Sequence, residues 1–205
     1  MTTQIQAVCC NCKASSPVTI YNSINVEHNP ELKDAVKNGS AFTWTCPQCG
    51  KLNLVAYPTL YHDPVQKLMV LLSGGEQTPT AKLDSYFSEA EELKGYTARM
   101  VDSAGALIEK VKIFDAGLDD VAMEICKLVT CAEMGKAVDL KFLKMDGADN
   151  EITLSYPENG QMQMVAIGFN VYEDARGIVS RNPVLQNPGS GFVKVDNDWI
   201  STIIG

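Results

Sequence analysis

The chain has 205 residues, with 45% apolar and 20% charged side chains and a formal net charge of −8. That composition suits soluble globular structure in one compact domain or two small ones. No window approaches the roughly 18 continuous apolar residues of a membrane span, and the acidic balance opposes nucleic acid rather than attracting it. The opening stretch MTTQIQAVCCNCK has neither the basic nor the apolar region of a signal peptide. Both features point to the cytoplasm, where seven cysteines serve as metal ligands or free thiols rather than a disulfide framework.

The N-terminal part reads as β-rich. TQIQAV runs as a strand into the first cysteines, and PVTIYNSIN follows with the Val, Ile, Thr and Tyr content that strands favour. HNPELKDAVKNGS is a short helix: Asn29 is its N-cap, Pro30 its first position, Glu31 and Asp34 its early acidic residues and Gly39 its stop. AFTWT leads into a second pair of cysteines, KLNLVAY leads out, and VQKLMVLL closes the sheet. Gly74, Gly75 and Pro79 then interrupt every periodicity in SGGEQTPTAK. The expected organisation is an N-terminal module over 1–73, a linker over 74–83 and a second domain over 84–205.

In that second domain GYTARMV reads as a strand and DSAGALIEKVKIFDAG as a helix with Leu107, Ile108, Val111 and Phe114 on its buried face. LDDVAMEICKLVTCAEMG is a second helix, with Val121, Ile125, Leu128, Val129 and Ala132 inward and Gly135 as its stop. Three strands follow, VDLKFLKM, EITLSYP and QMQMVAIGF, separated by DGADN and PENG, both of hairpin chemistry. A helical stretch near VYEDARGIV and a final FVKVDNDWISTII complete an α+β layout with an antiparallel meander.

The cysteines carry the chemistry. Cys46 and Cys49 in TCPQCGK have C-x-x-C spacing, and Cys9 and Cys12 in CCNCK repeat it. Such a turn presents two sulfurs to one metal, and two turns supply the tetrahedral four-thiolate set that structural zinc prefers. Gly50 lets the backbone fold back so that amides point at the sulfurs. The gap between the pairs exceeds the usual 15–20 residues of a zinc ribbon, and the helix at 30–38 fills it as an insertion. A redox pair is the rival reading, but redox C-x-x-C pairs open helices, whereas CPQCGKLNLVAY runs into a strand. Cys10 stands where the second pair has Pro47, so either Cys9 or Cys10 can complete the set; spacing favours Cys9. Lys13 and Lys51 follow the two turns and either offset the thiolate charge or are simply solvated.

CCNC, CPQC, the intervening SINVEHNPELKDAVKNGSAFTWT and the following YPTLYHD resemble the CpXC family of bacterial proteins, most specifically over 9–63. KVKIFDAGLDDVAMEICKL and FVKVDNDW are similar to the C-terminal part of its longer members. The resemblance implies a zinc-ribbon-like β module at the N-terminus and a zinc site at Cys9, Cys12, Cys46 and Cys49; it carries over no catalytic residue.

Other candidates are weaker. His62 beside Asp63 is a general base, a substitute metal ligand or a polar loop residue. Trp44, Tyr57 and Tyr61 lack a basic cluster and read as packing rather than a nucleic-acid platform. Cys126 and Cys131 point about 140° apart on one helix and read as small buried or half-buried residues. Asp120 and Glu124 share a face, and Lys127 makes an ordinary surface ion pair of them. Two functions therefore stand: a noncatalytic zinc-binding module with an unidentified protein partner and room for a homo-oligomer, favoured because structure explains all four cysteines, or an enzyme whose site lies between the two parts and uses His62.

Overall fold

Strand-favouring residues dominate the first hundred positions, and they pair mostly with sequence neighbours. In the computed structural model, which describes residues 2–74, 85, 89–148 and 150–204, β1 (Thr2–Val8) and β2 (Ser15–Tyr21) form an antiparallel hairpin. β4 (Thr43–Thr45) and β5 (Leu52–Leu54) form a second. Between the hairpins run β3 (Ser23–Asn25) and α1 (Glu31–Lys37). α1 starts one residue later than expected: Pro30 holds the cap position with no side-chain bond, while the Asn29 amide turns to the Glu31 carboxylate.

β3 joins β6 (Thr59–Asp63), β7 (Leu68–Leu72) and β8 (Thr97–Val101) in a sheet of order β3-β6-β7-β8. The outer pairings are parallel and the central one antiparallel. β7 does not close this sheet, as VQKLMVLL suggested, but lies inside it with every residue buried. Burial on both faces is why its sequence is continuously apolar instead of alternating.

The chain clusters into two compact units, Met1–Ile108 and Glu109–Gly205. β8, assigned from sequence to the domain at 84–205, pairs with β7 and belongs to the first unit. A parallel pairing is non-local, so nothing within residues 97–101 announces it. The linker expected at 74–83 lies, except for Gly74, outside the described residues.

The division falls within α2 (Ala104–Asp115). In the second unit α3 (Asp120–Met134) is capped by the Asp119 carboxylate, which accepts from the Ala122 N–H, and ends at Gly135 in the left-handed region. The expected apolar stripe on α3 is corrected in two ways. Residues 121–127 are all buried, so the first two turns are covered on every side, while Val129 and Ala132 are exposed. The meander is as expected: β9 (Lys141–Asp146), β10 (Glu151–Glu158) and β11 (Gln161–Gly168) lie antiparallel in the order β11-β10-β9. α4 (Phe169–Arg181), the short α5 (Pro183–Gln186) and α6 (Asn197–Ile204) complete the unit. Ile125 of α3, Ile152 and Leu154 of β10, Tyr172 of α4 and Ile200 of α6 meet in its core. Residues from separate helices and a sheet thus share one apolar centre, the α+β class read from the sequence. Among the described residues no helix is long and apolar enough to cross a membrane.

Candidate metal centre

Each C-x-x-C pair occupies the turn of a hairpin. Within the first turn the Cys9 N–H donates to the Ala14 carbonyl and the Lys13 N–H to the Cys9 carbonyl. In the second, the Cys46 N–H donates to the Lys51 carbonyl and the Gly50 N–H to the Cys46 carbonyl. The two turns therefore have one backbone plan. Gly50 closes the second with φ +69, and Lys13 closes the first with φ +63, a side chain held where glycine is preferred.

The turns bring Cys9, Cys12, Cys46 and Cys49 together, with all four Sγ atoms within 4.8 Å of one another. Cys9 Sγ lies 3.6 Å from Cys49 Sγ, and Cys12 Sγ 3.6 Å from Cys46 Sγ. A disulfide needs about 2.05 Å between sulfurs. Four thiolates placed about 2.3 Å from a central zinc in a tetrahedron stand about 3.8 Å apart. The sulfur spacing therefore fits a metal ion and not a bond. Cys9 and Cys46 are buried, Cys12 and Cys49 exposed, and Cys10 is exposed and outside the cluster.

Asn53 ties the two turns to each other. Its Oδ1 accepts from the Cys10 N–H at 2.8 Å, and its Nδ2 donates to the Lys51 carbonyl at 2.7 Å. Its side chain is buried at 5% exposure while its neighbours Leu52 and Leu54 are 60% and 84% exposed. Sequence reasoning passed over Asn53. The available signal was a reversed alternation in KLNLVAY, where the polar residue faces inward and the leucines outward.

The sulfurs differ in their readiness to ionise. The backbone amide of Cys12, followed by that of Asn11, lowers Cys9 to about 6 against the opposing effect of burial, and the Lys51 amide lowers Cys49. The Ala14 amide also favours the Cys12 thiolate, but local desolvation and the neighbouring sulfurs outweigh it and push that thiol up to about 12. Crowded thiolates repel one another, so complete ionisation calls for a cation among them. Lys13 donates its Nζ to the Cys10 carbonyl at 3.0 Å, which fastens it to the first turn.

The remaining sequence candidates resolve differently. His62 lies on β6, half-buried rather than in a polar loop, with Nε2 3.3 Å from the Tyr96 hydroxyl; burial lowers its pKa. Asp63 projects to the other face of the strand, where Lys33, Tyr61 and the Gln66 N–H hold its carboxylate. The two are not arranged as a base and its orienting acid. Tyr57 and Tyr61 are core residues. Trp44 lines a groove of about 470 Å³ with Pro17, Thr19 and Tyr21 of β2. Cys126 is buried and Cys131 half-buried, with no metal-ligating cluster around either among the described residues.

Asp120, Glu124 and Lys127 do not form a surface ion pair. Lys127 Nζ is 2.9 Å from Glu109 and 2.8 Å from Glu124, while Lys110 Nζ is 2.9 Å from Asp120 and 3.1 Å from Glu124. All five side chains are buried. Burial pulls Lys110 down, but Asp120 and Glu124 carry it above the usual lysine value.

The fold and centre define a β module in which two C-x-x-C hairpin turns, separated by a helical insertion, gather four thiols suited to a metal ion. The family model described as CpXC protein matches residues 7–127, more than half the chain, and the chain belongs to the CpXC family. The match takes in both cysteine turns, the four-stranded sheet and α3 up to Lys127; FVKVDNDW lies beyond it. Neither the curated proteins nor the solved structures contain a match.

Proposed function

We propose that the protein is a zinc-binding, noncatalytic interaction module whose four-cysteine centre is structural. The observation that carries this reading is the mutual spacing of the four sulfurs, with all of them within 4.8 Å. Zinc is the metal that four thiolates in a redox-neutral tetrahedral set suit best. A catalytic zinc keeps one position open for water or substrate, whereas four sulfurs leave none. The ion would join the two hairpins and neutralise their thiolates, and Asn53 would hold the turns in register behind it.

An interaction role is supported by the apolar side chains displayed on the two hairpins. Val8 is 62% exposed next to Cys9, and Leu52 and Leu54 flank Asn53 in the open. Adjacent apolar groups left in water favour a partner that covers them. The partner proposed is another protein, and the free thiols suit a reducing compartment such as the cytoplasm.

Elemental analysis of freshly purified protein tests the metal assignment. The expected result is close to one zinc per chain, lost on Cys46→Ser. Iron in place of zinc, or no stoichiometric metal, would contradict it.

A further inference from the structure

β11 is an edge strand whose sequence and geometry leave it ready to pair. It is bonded to β10 in an unbroken register from Glu151↔Gly168 to Glu158↔Gln161. The turn between them has Asn159 at φ +52 and Gly160 at φ +75, the pattern of a two-residue type I′ hairpin. In that hairpin the closing pair, Glu158 with Gln161, is hydrogen-bonded, and bonding alternates along the strand. The N–H and C=O groups of Met162, Met164 and Ala166 therefore point away from β10. Among the described residues no other backbone group bonds to them. The same residues display their side chains: Met162 is 60% and Met164 68% exposed, and Ala166 is exposed.

Natural sheets guard such edges with charge, proline or bulges. The opposite edge of this sheet is guarded in that way. β9 has an irregular register against β10 at Thr153/Leu154 and carries Lys141 and Lys144. β11 has none of these devices, and residues 159–172 carry no charged side chain in a chain of net charge −8. Two whole molecules repel one another, but two copies of this strand do not, so electrostatics selects this edge for self-contact.

We propose that β11 is a homodimer interface: two copies pair antiparallel across a two-fold axis at Met164, joining two three-stranded sheets into one. Met164 then faces its own copy, and Met162 faces the partner's Ala166. Each pair exchanges two backbone hydrogen bonds. The long Met162 side chain lies beside a methyl group, and the flexible methionines pack over the axis. The same patch on both molecules makes a closed, isologous contact that adds no further copies.

Sedimentation equilibrium of the full, metal-loaded chain tests this. Wild type is expected to be dimeric at tens of micromolar. Met164→Lys sets two like charges together at the axis and is expected to weaken the dimer at least tenfold. Val65→Lys, at a side chain 90% exposed in the first unit, is expected to leave it unchanged. A monomeric wild type, or a Met164→Lys protein that dimerises as wild type does, overturns the proposal.

A cross-linking pair decides the register and serves if Met164→Lys does not fold. Residues of a hydrogen-bonded pair have Cα atoms about 5.5 Å apart, within disulfide reach. Under mild oxidation Met164→Cys is expected to yield a peptide joined to its own copy through position 164. Ala166→Cys is not, because its copy lies several residues away. Reading the cross-linked peptide by mass separates these thiols from the native ones. Cross-linking at 166 as readily as at 164, or at neither, rejects the two-fold at Met164.

Discussion

The cysteine turns of the first unit and the helix pair of the second each crowd charge-bearing groups together, and they neutralise it by different means. In the first unit four sulfurs stand close on two hairpin turns. Lys13 is fastened to the Cys10 carbonyl, and Cys12 and Cys49 are exposed residues. In the second unit, Lys110 and Lys127 alternate with Asp120, Glu124 and Glu109 inside the protein. On the function proposed above, one centre would take its positive charge from a bound ion, whereas the other encodes it in the chain. A centre that borrows charge is stable only while the ion is present. A centre that carries its own counter-charge depends on its members, since removing one leaves a buried charge with fewer partners.

The largest test of this contrast is metal removal. Structural zinc in small modules contributes apparent free energies of about 10–16 kcal/mol at neutral pH, as large as the whole stability of a typical domain, about 5–15 kcal/mol. A strong chelator is expected to abolish hydrogen-exchange protection in β4 and β5 while β10 stays protected. Equal loss in both would mean that the two units unfold as one and that the contrast is not one of independent parts.

Lys127→Met is expected to destabilise the second unit by about 3–5 kcal/mol, the usual cost of breaking a buried ion pair from one side. Chemical denaturation followed by exchange in α3 measures it. The variant should leave metal content at the wild-type level. A loss below about 1 kcal/mol would show that the remaining partners, Lys110 at Glu124 and Lys141 with the Phe142 N–H at Glu109, suffice for the two carboxylates.

Asn53→Ala removes the hydrogen bond from the Cys10 N–H that joins the two hairpins, together with the local one to the Lys51 carbonyl, and strands the Cys10 N–H. A cost of about 1–3 kcal/mol is expected, together with a metal affinity reduced by about 10–100-fold, as for other groups that orient ligands. Competition with a chromogenic chelator reads the affinity directly. An unchanged value would remove Asn53 from the centre.

The smallest effects concern the turn backbone and the spare thiols. Gly50→Ala meets no atom within 4 Å of the added Cβ, so its cost is conformational strain alone, about 1–2 kcal/mol. Cys10→Ser and Cys126→Ser are expected to leave metal content unchanged. If Cys10→Ser lost the metal and Cys9→Ser kept it, the assembled set would be misassigned.

Much of the molecule was legible in the amino-acid order because the relevant signals are local. C-x-x-C spacing, Gly50 after the second pair, the Gly135 stop of α3, and the Asn159–Gly160 turn each act over a few residues, and sequence displays them directly. What only the tertiary structure decided depends on partners far along the chain. β8 joins β7 through a parallel pairing, and Asn53 faces inward because Cys10 lies across from it. Asp120, Glu124 and Lys127 look like an ordinary solvated helix face, since i, i+3 and i, i+4 charge patterns are the same whether water or protein surrounds them. Their burial follows from packing around α3 on all sides, a property of the assembled fold that no window of its own residues contains.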